Sequence, residues 1–209
     1  MSFDLWLTFV AASTALLLIP GPTILLVLSY ALTQGRKVAV ATAAGVAFGD
    51  LIAMSASLMG LGAIVLASAT AFMVLKWLGA AYLMWLGYKM LRSAGNASLA
   101  DISRASDLPG RGVFGHAAAV TALNPKSIGF FIAFVPQFLS PQAPMLPQFA
   151  IFISTFVTLA ALNALAYALL ADKMRSRISS PKVMRGLTRG GGVTLMGMGI
   201  LTATLKRAA

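Results

Sequence analysis

A Pro-Gly-Pro triplet inside a long hydrophobic run is the strongest constraint on this chain. Residues Leu16 to Thr23 read LLLIPGPT, within an apolar stretch that begins at Leu5 and continues to Leu32. That stretch has the length of a membrane-spanning helix. Proline lacks the donor N–H and clashes one turn back, so Pro20 and Pro22, flanking Gly21, must break the helix near its middle. In hydrocarbon the freed backbone groups find no water. Irregular backbone is tolerated there only where it is buried in protein or lines a wet cavity. The break is therefore a candidate transport site around which the other spans are arranged.

The rest of the chain is apolar enough to supply those spans. It is 59% hydrophobic and only 10% charged, with a mean hydropathy of +0.87, whereas soluble domains carry about a quarter charged residues. Six spans of roughly 20 residues fit within 209 residues and leave room only for short loops. They are expected at about Leu5–Leu32, Val38–Leu66, Phe72–Leu91, Val113–Leu139, Phe149–Ala171 and Leu187–Leu205. Asp4 and the absence of Lys or Arg ahead of the first run are unlike a secretory signal, so the first span is expected to be retained. No strand-like alternation is long enough for a barrel. The absence of cysteine rules out disulfides, thiol redox chemistry and thiolate metal sites. With a single histidine, His116, neither a metal nor another cofactor is expected. The net charge of +11 reads as a topology signal in membrane loops, not as a nucleic-acid footprint.

Most of the basic residues fall in the links after spans 1, 3 and 5, namely Gln34–Lys37, Ser93–Gly112 and Asp172–Arg185, with their flanks. The positive-inside rule puts those links in the cytoplasm and both termini outside. Lys206 and Arg207 at the C-terminus argue mildly the other way.

The chain also carries signs of an internal repeat. Span 4 contains Asn124-Pro125-Lys126, again mid-span and about half a chain after the first break. Span 2 has one polar intruder, Asp50, and span 5 one, Asn163. Gly79, Leu83, Met84 and Gly87 of span 3 match Gly191, Leu195, Met196 and Gly199 of span 6 at one constant spacing. The expectation is a single transmembrane domain over 1–209, with repeats at about 1–92 and 113–209 joined by a linker at 93–112. With three helices each, the second repeat must enter the membrane from the opposite side. The predicted fold is all-α: six transmembrane helices as two inverted three-helix repeats, with helices 1 and 4 broken mid-membrane. Such folds bind substrate near the midplane, at discontinuous helices in corresponding positions.

Pro22 and Pro125 each suit the first position of a restarted helix, with Gly21 and Asn124 as N-caps. Each restart should present free N–H groups and partial positive charge, which suits a carboxylate. A lone proline kink is common in membrane helices; two matched breaks favour a functional reading. Asp50 is the only acid deep in a span, and a central aspartate costs ~2.5–3.5 kcal/mol on insertion scales. It is a candidate to titrate, to hold a substrate ammonium, or to pair with Lys126, the only deep basic residue. Asn163 offers a hydrogen bond from span 5 or a helix–helix contact. His116 reads as interfacial. Ala41, Gly45, Gly49, Ala53 and Ser57, spaced by four, form a small-residue stripe for close helix packing.

IPGPTILLV, GVAFGD, LKWLGAAYLMWLGYKMLR and LNPKSIGFF occur in this order along essentially the whole chain. In these motifs the chain resembles the LysE/RhtB family of amino-acid exporters. The resemblance implies a bacterial cytoplasmic (inner) membrane protein that exports amino acids or close derivatives at the expense of the proton motive force. It admits a homodimer. It also places the family's motif residues on Pro20, Gly21 and Pro22, on Asp50, and on Asn124, Pro125 and Lys126.

The expected function is an amino-acid:proton antiporter working by alternating access in the lipid bilayer, with no enzymatic activity. Its substrate-binding residues are expected to be Pro20, Gly21, Pro22, Thr23, Asp50, Asn124, Pro125, Lys126 and Asn163, with Asp50 also the proton-coupling group. A single buried acid leans toward neutral amino acids. The alternative is a passive channel for small polar solutes.

Overall fold

A computed structural model describes residues 2–35, 38–67, 69–93, 112–140, 142–178 and 180–204. Those residues form eight α-helices and one short 3-10 turn, with no strand among them. The helices are α1 (Phe3–Leu18), α2 (Pro22–Gln34), α3 (Ala39–Ala67), α4 (Ala69–Ser93), α5 (Val113–Ala122), α6 (Pro125–Ala133), α7 (Met145–Ile178) and α8 (Pro181–Thr204). The 3-10 turn, Val135–Phe138, extends α6.

Both predicted breaks are present. α1 and α2 meet at 55°, and α5 meets α6 and its 3-10 extension at 44°. α3 over Ala39–Gly60 and α7 over Met145–Ala171 are each long and apolar enough to cross a membrane, as is each bent pair taken as one span. α4 and α8 are not among the helices that meet this measure within the described residues. The expected basic loop Asp172–Arg185 is corrected: α7 runs on to Ile178 and α8 begins at Pro181. Residues 172–178 contain no glycine or proline to stop a helix, and Pro181 suits a helix start. α7 also begins earlier than expected, at Met145, where Gln148 ties down the preceding turn. Its Nε2 donates to Ser140 O at 3.0 Å, and its Oε1 accepts from Ser140 N at 2.8 Å. The linker 94–111, the Arg36-Lys37 turn and the C-terminal tail with Lys206 and Arg207 lie outside the described residues.

In lipid, helices gain little from apolar burial against one another, so close van der Waals approach carries much of the association. The small-residue stripe provides it. A Cβ at Gly45 would lie 2.5 Å from Phe114 O, and one at Gly49 2.5 Å from Ala118 O, so α3 and α5 touch backbone to backbone. α4 and α8 approach as closely, and their contacts are reciprocal. A Cβ at Gly87 would meet Gly192 O at 2.5 Å and Met196 Cγ at 2.7 Å; one at Gly199 would meet Ala80 O at 2.9 Å and Met84 Cγ at 2.7 Å. Gly87 and Gly199, Met84 and Met196, and Ala80 and Gly192 exchange roles at the spacing already seen in the sequence.

Phe9, Phe130, Phe134, Phe138, Phe152 and Phe156 form a buried aromatic cluster joining α1, α6 and α7. Its closest pair, Phe9 and Phe152, has ring centroids 4.7 Å apart. Many large apolar side chains face outward instead, among them Val40, Met59, Trp77, Leu78 and Ile200. That is the pattern of a bundle whose solvent is hydrocarbon.

Candidate functional site

The site grows from the unmet backbone groups at the first break. α1 ends at Leu18, and the four carbonyls from Leu16 to Ile19 lack the usual partner one turn on, although Leu16 O accepts from Ile19 N at 3.3 Å. Each of the four finds a donor elsewhere. Lys126 Nζ donates to Leu16 O at 3.0 Å and to Ile19 O at 2.7 Å. From α7, Asn163 Nδ2 donates to Leu17 O at 3.0 Å and the Tyr167 hydroxyl to Leu18 O at 2.9 Å. The break is thus closed by side chains more than a hundred residues away in sequence.

The two restarts follow the predicted grammar. Pro22 and Pro125 each stand in the first turn of their helix, behind the N-caps Gly21 and Asn124. Asn124 Oδ1 accepts from Lys126 N at 3.0 Å. Its Nδ2 reaches across to Thr23 Oγ1 at 2.9 Å, and the Thr121 hydroxyl donates to the same oxygen at 3.4 Å. Thr23 therefore locks one restart to the other. We expect Asn124→Ala to lower stability by ~0.5–2 kcal/mol, the usual loss for an N-cap, read as a lower melting temperature in detergent. Asn124→Asp keeps the acceptor for Lys126 N but no longer donates to Thr23, whose hydroxyl must turn to donate instead, so it should fall between the parent and Asn124→Ala.

Between the breaks lies a cavity of about 20 Å³, room for about one water. Gly21, Thr23, Asp50, Asn124, Lys126 and Asn163 line it, and all were singled out from the sequence. Pro20, Pro22 and Pro125 do not; they shape the backbone that does. Leu16, Leu17, Ile24, Val46 and Ala160 supply the apolar wall. Asp50, from α3, is 1% exposed, and its Oδ1 has no hydrogen-bond partner. Lys126 is 7% exposed and acts on Asp50 electrostatically, but its hydrogen bonds go to α1. The expected alternative of a direct Asp50–Lys126 pair does not form: the two side chains line one chamber, and the hydrogen bonds of Lys126 go to α1.

Three participants escaped the sequence reading. Ser127, next to Lys126, offers its hydroxyl to Asp50. Tyr167 lies one turn beyond Asn163 on α7, a spacing that would have paired them on one face. Thr121 completes the lock on Thr23. His116 joins no part of this chamber. It shares a 2.7 Å hydrogen bond with the buried Tyr30 hydroxyl, between α5 and α2. Among the described residues no cluster of His, Cys, Asp or Glu could hold a metal ion.

An all-helical bundle with an apolar exterior and a buried charged chamber at two apposed helix breaks defines an integral membrane protein. Residues 14–205 match the family described as LysE type translocator. The chain is 36% identical over 208 residues to the homoserine/homoserine lactone efflux protein of Salmonella typhimurium, covering 100% of each. It is 32% identical over 206 residues to an uncharacterized membrane protein of Vibrio cholerae, covering 99% of this chain and 100% of that one. With the leucine efflux protein of Klebsiella pneumoniae it shares 32% identity over 148 residues, 71% of this chain and 69% of the relative. The chain belongs to the LysE translocator family, a family of transport proteins and not of enzymes. No solved structure matches it significantly.

Proposed function

We propose that this protein exports amino acids or close derivatives across the bacterial cytoplasmic (inner) membrane, by alternating access and in exchange for protons. The observation that carries the reading is the buried chamber where a carboxyl group with one unpartnered oxygen, an ammonium and two helix restarts meet. A free amino acid carries the complementary charges. Its carboxylate suits the N-terminal ends of α2 and α6, together with Lys126. Its ammonium suits Asp50, and a proton arriving at Asp50 from outside would compete for it and release the substrate. The apolar wall of Ile24, Val46 and Ala160 supports a neutral substrate side chain. Relatives named for homoserine, homoserine lactone and leucine point to the same class.

The reciprocal contacts of α4 and α8 and the matched breaks support two inverted repeats, over about 1–92 and 113–209, joined by 93–112. The basic links are assigned to the cytoplasm, and the lipid bilayer, protons and substrate are the partners, with a homodimer compatible. A chamber with room for about one water excludes an amino acid in this conformation. That favours a carrier that changes shape over an open channel.

The test uses purified protein in proteoliposomes with an imposed pH gradient and a panel of neutral amino acids including homoserine and leucine. We expect saturable flux that follows the gradient. Unsaturable flux indifferent to the gradient would make the protein a channel, and absence of flux across the panel would remove the export reading altogether.

A further inference from the structure

The end of α1 is served unevenly. Leu17 O and Leu18 O each meet a neutral donor from α7, whereas Ile19 O and Leu16 O, the latter already accepting from Ile19 N at 3.3 Å, converge on one charged donor, Lys126 Nζ, at 2.7 and 3.0 Å. Desolvating an ammonium is expensive, and neutral side chains satisfy the adjacent carbonyls, so backbone capping alone does not call for a lysine. Two carbonyls at the negative end of a half-helix, facing a chamber with a buried carboxylate, are instead the ligand set of a small-cation site. The unpartnered Oδ1 of Asp50 adds to the negative potential there. Gly21 leaves space beside the ammonium: a Cβ there would lie 3.4 Å from Lys126 Nζ.

We propose that the Leu16 and Ile19 carbonyls form a primary-ammonium site, filled in this conformation by the chain's own Lys126 as a tethered ligand. The site stands on its geometry whether or not the protein is an antiporter. Only one consequence rests on the proposed function: the ammonium of a transported amino acid is chemically equivalent to the resident. On taking these carbonyls, with Asp50 of the same chamber as its counter-charge, it would release Lys126 toward the substrate carboxylate.

The experiment follows thermal unfolding of the purified full chain in detergent. Lys126→Ala should melt below the parent protein. Methylammonium or ethylammonium chloride should raise its melting temperature saturably and recover most of the loss. Tetramethylammonium chloride, which has no N–H to donate, should not, and the parent protein should not respond because its site is filled. No response of the variant to primary amines, an equal response to tetramethylammonium, or an equal response of the parent would overturn the proposal.

Should Lys126→Ala fail to fold, Lys126→Cys serves, because the chain has no other cysteine. Treatment in the membrane with 2-bromoethylamine rebuilds a lysine-like side chain at that thiol. Propyl methanethiosulfonate adds similar length without the ammonium. Aminoethylation should restore the parent melting temperature and propylation should not; equal restoration would show that the side chain merely fills space. The readout is unfolding, so a failure of transport in the proteoliposome assay leaves this result untouched, and the reverse also holds.

Discussion

Asp50→Asn should abolish gradient-driven flux while leaving the protein folded. Asparagine keeps the shape of the side chain but cannot exchange a proton or hold a substrate ammonium by charge. Asp50 is 1% exposed, and its Oδ1 has no hydrogen-bond partner. Asparagine relieves the desolvation penalty of the carboxylate but takes a counter-charge from the buried Lys126, so the melting temperature in detergent should change little. Lys126 keeps its two carbonyl partners on α1 whatever stands at position 50. Transport is expected to drop by at least about tenfold, or about 1.4 kcal/mol at the transition state. Full gradient-driven flux in Asp50→Asn would move the coupling site elsewhere in the chamber.

The second large effect is mechanical. Gly49→Val should force α3 away from α5. The added Cβ would lie 2.5 Å from Ala118 O, 2.7 Å from Thr121 Cβ and 3.0 Å from Ala122 N, and none of these atoms is the free end of a flexible side chain. Overpacking typically costs about 1–3 kcal/mol, and this contact gives way only by moving a helix. Gly49 adjoins Asp50, and Thr121 holds Thr23, so flux should fall along with the melting temperature. Gly60→Val, on the same helix, is the control: a Cβ at Gly60 meets nothing within 4 Å. If both substitutions melt alike, valine in the helix and not the α3–α5 contact is responsible.

What could be read from the sequence was whatever a letter encodes locally. Pro22 and Pro125 mark helix restarts because proline suits one position of a helix and spoils most others, and both stand where expected. Asp50, Asn124, Lys126 and Asn163 drew notice because polar side chains within apolar runs are expensive, and all four face one chamber. The partner of Lys126 was not legible. Its hydrogen bonds go to main-chain carbonyls, which every residue has and no letter distinguishes. Tyr167 was passed over for a related reason: a tyrosine in an apolar helix reads as packing until a carbonyl is found opposite its hydroxyl. The helical continuation past Asp172 was missed because charge was read as loop, although nothing in 172–178 breaks a helix.

The way α1 is fastened decides which pieces of this protein can travel together. Near its start, Trp6 Nε1 donates to Thr155 Oγ1 at 3.1 Å; at its end, Asn163 and Tyr167 hold Leu17 and Leu18. α1 is thus riveted to α7 at both ends, across the boundary between the two halves of the sequence. α2 packs against α7 as well, and its hydrogen bonds run to the second break, through Thr23 to Asn124 and Thr121 and through Tyr30 to His116. Lys126, two residues past Asn124, bonds Leu16 and Ile19 in turn, so both sets of ties meet at the Pro-Gly-Pro triplet. The end of α1 cannot swing away from the second break without parting Lys126 from Leu16 and Ile19.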